Sequence, residues 1–275
     1  MNKDKLDRAV EIVQEGGLGA LFHSSLNYSK RAARNCFWKI KGRMRLGCCN
    51  ADAYFNSTQE SSYRTVKKRF KSERAILKDL INNLQANDIY FDIGASLGLH
   101  TCLPAKELTK GKVISFEPYP PNVEKLRKNI ELNNLKNVEL FELALSDSSS
   151  ETDFMAGSTS LTSVGQTDSR AKKGDKIRTV KGDELINQGK IPRPNVVKID
   201  VEGAEPLVIR GLKEALLDNS CRLLYIEVHL PASHRPSIND FGMDLPELKE
   251  TLKKYGFELT IMKNRGDEVF VKGEK

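Results

Sequence analysis

Tyr90-Phe-Asp-Ile-Gly-Ala-Ser-Leu-Gly98 decides the fold class. Its start, Ile89–Ile93, is a short apolar run bounded by glycine, the pattern of a strand buried on both faces. Gly94 and Gly98 then frame a tight loop, and Leu97–Leu108 has the length and composition of a helix, with Pro104 as a kink or break inside it. Strand, glycine loop and helix form the unit from which open parallel sheets bind ligands beyond the carboxyl ends of their strands. Glycine permits close backbone approach to a ligand. The loop amides and the following helix N-terminus favour an anionic ligand group such as a carboxylate.

The same alternation continues downstream. Val113–Phe116 predicts a second strand, and Pro120 and Pro121 suit the first turn of a helix carrying Val123, Leu126 and Ile130. Val138–Leu143, Val196–Ile199 and Leu223–Val228 predict further strands, with a helix through Leu207, Val208 and Leu212 between the last two. Residues 146–175, rich in Ser, Thr, Gly and Asp, predict a loop with a short strand near Thr152–Met155, and Ile177–Val180 another short strand. Asp244-Leu-Pro-Glu247 is a capping box. The helix it opens buries Leu245, Leu248 and Leu252 and stops at Gly256. Phe257–Met262 and Glu268–Val271 pair as a terminal hairpin. The expected architecture is a Rossmann-like α/β fold, with a mostly parallel central sheet, helices on both faces and an antiparallel C-terminal hairpin.

Upstream, Ile76, Leu77, Leu80, Ile81 and Leu84 predict an amphipathic helix over 72–84. Leu6, Ala9, Val10 and Val13 predict another over 4–15, ended by Gly16-Gly17. Residues 18–62 show no sustained period and read as irregular, with room for one basic helix. The chain thus divides into a basic extension, 1–71, and an α/β domain, 72–275.

Charge marks the same division. Residues 28–74 hold thirteen Lys/Arg and three Asp/Glu, a balance of +10, whereas the rest of the chain is −3. A basic stretch of this kind attracts phosphorylated substrates, an anionic membrane surface or nucleic acid, and serves equally as a solvated arm. No apolar run approaches the roughly 18–20 residues of a membrane span. Met1-Asn-Lys-Asp-Lys leads into a polar helix instead of an apolar signal region. The expectation is a cytoplasmic protein in which 28–74 is a solvated arm first, with peripheral membrane contact as the alternative. Cys36, Cys48, Cys49, Cys102 and Cys221 match no zinc spacing and read as reduced thiols.

Four constellations carry chemistry. The first is the loop itself, with Asp92, Gly94, Ala95, Ser96 and Gly98. The second is Val113-Ile-Ser-Phe-Glu-Pro118, where Glu117, 23 residues after Gly94, can accept hydrogen bonds from both ribose hydroxyls of a nucleotide-like cofactor, beside Pro118. Together they fit either NAD or S-adenosylmethionine. Asp92 favours the latter. A carboxylate just before the loop repels a pyrophosphate and helps hold a ligand with ammonium and sulfonium charges. The third is Val196-Val-Lys-Ile-Asp-Val-Glu-Gly-Ala-Glu205. Asp200, Glu202 and Glu205 exceed what capping a helix needs and could orient a hydroxyl, take its proton or hold a divalent cation. The fourth is Tyr225-Ile-Glu-Val-His229, whose period of two puts Glu227 and His229 on one face of a strand end. Asp200 leads as base, with His229 second. Asp200 and Glu227 are the candidate ligands should a divalent metal take part.

In this order, with Ala144-Leu-Ser-Asp147 between the second and third, these motifs resemble the FkbM-type methyltransferases over about residues 86–230. The resemblance implies the class I methyltransferase fold and S-adenosylmethionine-dependent O-methylation of a sugar, glycan, lipid-linked or other small-molecule hydroxyl. It implies cofactor roles for Asp92, Gly94, Gly98 and Glu117, places Ser146 and Asp147 near the adenine, and sets Asp200, Glu202 and Glu205 at the catalytic cleft. Leu99 and His100 depart mildly from the aromatic residues usual there. Two rival readings compete. A nucleic-acid methyltransferase would use the basic arm, but Asn/Asp-Pro-Pro-Tyr and Pro-Cys signatures are absent after the central strand. A non-catalytic binding protein on the same fold would not need the acidic cluster.

Overall fold

The structure, a computed structural model, describes residues 42–57, 60–153, 176–232 and 236–275. The expected helix over 4–15 and the basic residues before 42 lie outside them. Two compact units divide the chain: Met1–Met44 with Phe55–Arg69, and Arg45–Tyr54 with Phe70–Lys275. In the described part of the first, Phe55 and Val66 are buried and the Ser57 amide donates to the Gly42 carbonyl at 3.1 Å.

The segment expected to be irregular contains a two-stranded sheet, β1 (Arg43–Cys48) with β2 (Ala51–Asn56). Burial alternates along β2, with Ala51, Ala53 and Phe55 inside. Small residues and basic neighbours hid this period of two, because apolar bulk carries the signal from which alternation is read. Helix α1 spans Glu60–Asn83, starting twelve residues before the expected boundary. Its N-terminal half is dominated by Lys and Arg, which favour helix without marking an apolar face.

The main sheet has seven strands: β3 (Ile89–Ile93), β4 (Lys112–Phe116), β5 (Val138–Phe141), β9 (Val196–Ile199), β10 (Leu223–His229), β11 (Glu258–Asn264) and β12 (Glu268–Glu274), in spatial order β11-β12-β10-β9-β3-β4-β5. The run β5 to β10 is parallel, and β12 enters antiparallel between β10 and β11. A small second sheet holds β6 (Ala144–Leu145), β7 (Ser150–Asp153) and β8 (Lys176–Val180). The helices are α2 (Leu99–Glu107), which keeps Pro104 inside it, α3 (Pro120–Leu132), α4 (Gly182–Asn187), α5 (Glu205–Gly211), α6 (Lys213–Leu217) and α7 (Leu245–Lys254). The expected capping box opens α7, with Glu247 N donating to Asp244 Oδ1 at 2.8 Å and Asp244 N to Glu247 Oε2 at 3.0 Å. Among the described residues no helix is long and apolar enough to cross a membrane. Cys48, Cys49, Cys102 and Cys221 are free thiols.

The two faces of the sheet differ in chemistry. Phe91, Ile93, Ile114, Phe116, Val197, Ile199, Leu224, Ile226 and Val228 share one apolar core with residues of α5, α6 and α7. Residues directly opposite in register point to the same face. The other parity therefore aligns Ser115, Asp92, Lys198, Tyr225 and Lys272 in one row across five strands. All five are buried. Polar groups at such positions need partners, and α1 supplies several. Asp79 accepts from Tyr225 Oη at 2.7 Å and lies 3.1 Å from Lys272 Nζ, while the Ser72 carbonyl accepts from Lys263 Nζ at 2.8 Å and Arg265 Nη2 at 3.1 Å.

Candidate active site

The chain leaves β3 toward β4 and β5 on one side, while β9 and β10 lie on the other, so the switch point of the sheet falls between β3 and β9. That is where open α/β sheets take ligands. The glycine loop rises from β3 at this point. The amides of Gly94 and Ala95 both donate to the Phe116 carbonyl at 3.0 Å, which fastens the loop to β4. Gly94 and Gly98 have φ of +80° and +83°. The sequence argument gave these glycines to a ligand's approach, but the structure supplies a nearer cause. A Cβ on Gly94 would stand 1.8 Å from the Asp200 carbonyl oxygen, and one on Gly98 2.4 Å from Leu126 Cδ1. Gly94 lets the loop cross the end of β9.

Glu117 ends β4 and is buried. Its Oε2 accepts from the Ser96 amide at 2.7 Å and its Oε1 from the Tyr119 amide at 3.0 Å. Burial pushes its carboxyl up, against the opposing pull of these bonds. Asn122 Nδ2 also donates to Oε1 at 3.4 Å, and because a carboxylate oxygen can accept two hydrogen bonds, the spare capacity for a hydroxyl donor lies on Oε2. Pro118 is half-buried beside it. Asp92 is fully buried, with Oδ2 accepting from Thr101 Oγ1 at 2.6 Å and Oδ1 from Lys198 Nζ at 3.1 Å. Its charge is thus already matched by the chain's own ammonium. Ser146 is buried, and its carbonyl packs against Gly211, where a Cβ would come within 1.9 Å. Asp147 accepts from Arg210 Nε at 2.9 Å.

Across the switch point, the acidic cluster closes around one ring. His229, 1% exposed, sets Nδ1 2.7 Å from Glu205 Oε1 and Nε2 3.5 Å from Glu202 Oε2 and 4.0 Å from Asp200 Oδ1. Glu205 is fully buried, its Oε1 also accepts the Gly203 amide at 3.1 Å, and its Oε2 has no hydrogen-bond partner among the described residues. Asp200 and Glu202 keep side-chain exposures of 15% and 24%, so both open toward solvent. Glu202 holds φ +55°. A non-glycine residue in that region is strained, a condition that clusters at functional sites. Nδ1 is in hydrogen-bond contact with Glu205 and Nε2 in longer ion-pair range of Glu202 and Asp200, an arrangement that favours the doubly protonated, cationic ring. Burial, the largest single influence, pulls its pKa down, but the charges of Glu205, Asp200 and Glu202 and the Glu205 bond outweigh it and lift His229 to about 9.

A pKa raised on folding adds stability that is complete below the unfolded value of about 6.5 and is lost as pH rises through the folded one. Wild-type unfolding free energy should therefore fall between pH 6.5 and 9.5 by an extra 2–3 kcal/mol, on the order of one 1.4 kcal/mol step per pKa unit, compared with His229→Gln. Urea titrations of the two proteins at both pH values check this. Parallel pH dependences would show that the ring is not charged in the fold.

Glu227 is buried on β10 with Oε1 3.3 Å from Arg265 Nη1, and Arg265 also meets Glu268 at 2.8 Å. Burial pushes the Glu227 carboxyl well up, with Asp200, Glu73 and Glu268 adding to the effect. Among the described residues two triads have ligand-type atoms within 4.8 Å of one another, Asp200-Glu202-His229 and Glu227-His229-Glu268. A divalent cation at either would require His229 to give up its proton. Asp200 and Glu227, the sequence-derived metal candidates, belong to different triads.

Sequence reasoning missed Lys198, Glu73 and Arg265. Lys198 had a visible signal, a lysine inside the otherwise apolar Val-Val-Lys-Ile strand. Its Nζ lies 3.1 Å from Asp92, 3.3 Å from the Gly94 carbonyl and 3.5 Å from Asp200. Burial, the largest influence, lowers its pKa, yet the charges of Asp92, Asp200 and Glu73 raise it overall. Glu73 reaches in from α1 and meets His100 Nε2 at 3.1 Å. It carried no local signal, because its partners lie on other elements.

A family model, the methyltransferase FkbM domain, matches residues 92–259. Among known proteins, the hexuronic acid methyltransferase AglP of Haloferax volcanii is 28% identical over 205 residues, covering 74% of this chain and 78% of that protein. Methyltransferase 1 of Beauveria bassiana is 30% identical over 151 residues, covering 46% of this chain and 61% of that protein. A solved methyltransferase FkbM from Methylobacillus flagellatus KT aligns with a TM-score of 0.49 at 17% identity, over 70% of this chain and 45% of that one.

Proposed function

The chain belongs to the FkbM methyltransferase family, and from that premise we propose that it is an S-adenosylmethionine-dependent O-methyltransferase acting on a sugar hydroxyl. The observation that carries this reading is the cluster of Asp200, Glu202 and Glu205 around His229, one strand away from the glycine loop. The hexuronic acid activity of the Haloferax relative supports a sugar acceptor.

The donor set fits the cofactor. Glu117, at the end of β4, would hold the ribose hydroxyls, the 94–98 loop would take the amino-acid part, and Ser146 and Asp147 would border the adenine. Asp200 and Glu202, both partly open, offer negative charge to a cationic ligand. When bound, the cofactor supplies a methyl group on a positively charged sulfur. Asp92 braces the loop from beneath through Lys198 and Thr101. Asp200 accepts the proton of the acceptor hydroxyl, because His229 as an imidazolium has no lone pair to offer at neutral pH. Glu205 fixes the ring through Nδ1, and the ring draws Glu202 and Asp200 together at Nε2. Much of the rate enhancement comes from holding oxygen and methyl in line.

The test has two parts. Calorimetric titration with S-adenosylhomocysteine, with NAD as control, should give micromolar binding for the former only. Labelled methyl groups should then pass to glycosides ending in a hexuronic acid or a neutral hexose. Label in RNA alone would convert the reading to a nucleic-acid methyltransferase acting through the basic extension, and lack of S-adenosylhomocysteine binding would remove the cofactor assignment.

A further inference from the structure

Lys198 sits in a strand that is buried along its whole length. An ammonium there is costly unless its donors are used. It has three N–H donors and three oxygens nearby. Asp92 Oδ1 and the Gly94 carbonyl, at 3.1 and 3.3 Å, belong to the base and first turn of the cofactor loop. Asp200 Oδ2, at 3.5 Å, belongs to the carboxylate that faces the acceptor. The same group is therefore tied to both halves of the site.

We infer that Lys198 is a positioning residue that couples the cofactor loop to Asp200, so that filling the loop fixes the Asp200 carboxylate. The inference rests on the proposed cofactor and on the assignment of Asp200. Filling the loop holds the Gly94 carbonyl in place, and with it the ammonium whose third contact is Asp200. Coupling of this kind is reciprocal, so an ordered Asp200 also favours the loop geometry that takes cofactor. The competing account is purely structural. In it Lys198 only neutralises Asp92, and any communication runs through the backbone, where the Asp200 amide donates to the Ile93 carbonyl at 3.0 Å and Gly94 packs beneath the Asp200 carbonyl.

Hydrogen exchange with and without saturating S-adenosylhomocysteine separates the two. Lys198→Met alone strands a buried carboxylate and risks unfolding. The test protein is therefore Lys198→Met with Asp92→Asn, which removes both charges and leaves the Thr101 hydroxyl a partner. In wild type, the ligand should slow exchange in both 94–98 and 200–204, by about tenfold or more in each, an effect within the usual range of site coupling. In the double variant, compared with Asp92→Asn alone so that the lost loop brace is common to both and with ligand raised to saturation, 94–98 should slow while 200–204 changes less than twofold. Equal slowing of 200–204 in both proteins overturns the inference in favour of the backbone route. Slowing confined to 94–98 in wild type overturns it too. A folded double variant that no longer responds at 94–98 makes Lys198 structural. If wild type shows no response at 94–98, the cofactor assignment fails, and this inference fails with it.

Discussion

Replacing Asp200 by Asn should lower methyl transfer about 10³-fold while leaving S-adenosylhomocysteine affinity within about threefold of wild type, the rate loss being typical of a lost general base. Asn has nearly the shape of Asp and can still accept from Lys198, so the loop side of the site keeps its bracing. The demethylated cofactor lacks the sulfonium charge and keeps only its amino-acid ammonium, which the proposed site assigns to the 94–98 loop, so its binding depends little on the Asp200 carboxylate. The acceptor hydroxyl does depend on it, because a neutral amide cannot take a proton. Glu202 is the nearest substitute, but it belongs to the strained turn at φ +55° and is set 3.5 Å from the His229 ring. Single-turnover rates on an acceptor saturated with cofactor give the comparison. Turnover equal to wild type would exclude Asp200 from proton transfer and pass the role to Glu202.

Gly94→Ala should cost more than about 4 kcal/mol of stability, in the range reserved for severe steric or strain mechanisms. The new Cβ would lie 1.8 Å from the Asp200 carbonyl oxygen. Neither side can retreat easily. The Gly94 amide is bonded to the Phe116 carbonyl and the Asp200 amide to the Ile93 carbonyl, each at 3.0 Å. Separating them would part β3 from β9 where the ligand enters. Two other glycines calibrate the result. At Gly98 the clash is with Leu126 Cδ1, the mobile end of a side chain, so Ala should cost less. At Gly189, φ is +66° and no atom lies within 4 Å of the added Cβ, so only the backbone penalty of about 1 kcal/mol remains. Urea unfolding should rank the losses Gly94, Gly98, Gly189. A Gly94→Ala protein as stable as Gly189→Ala would mean that β3 and β9 are not in contact at this point.

Most of the sheet was legible because its strands are continuous apolar runs punctuated by glycine and proline. Ile89–Ile93 was anticipated to the residue, and Val196–Ile199 likewise. The β1–β2 pair was not, since Ala51 and Ala53 bury too little to register as a period. The first half of α1 escaped notice because its apolar face is sparse and its basic residues favour helix without marking a face. At the site, acids at strand ends could be picked out by position alone: Glu117 and Asp200 each follow an apolar strand, and Glu227 lies near the end of one. Their individual states could not, because those depend on neighbours distant in the chain. Glu205, 24 residues before His229, becomes its 2.7 Å partner, and Asp92 becomes the partner of Lys198, 106 residues on.

The order of strands, the glycine loop and the acid-bearing strand ends are local facts, written in periodicity and in residues with special backbone freedom. They sufficed for the fold class and for the family resemblance. Which charges meet is set by register between strands that the chain visits at different times. Parallel pairing brought Asp92 beside Lys198 and placed the two carboxylates of the β9 turn around a histidine from β10. Electrostatic roles follow distance and burial in space, so the proposed base, the buried counter-charge and the histidine with its raised pKa became distinguishable only once the sheet had assembled.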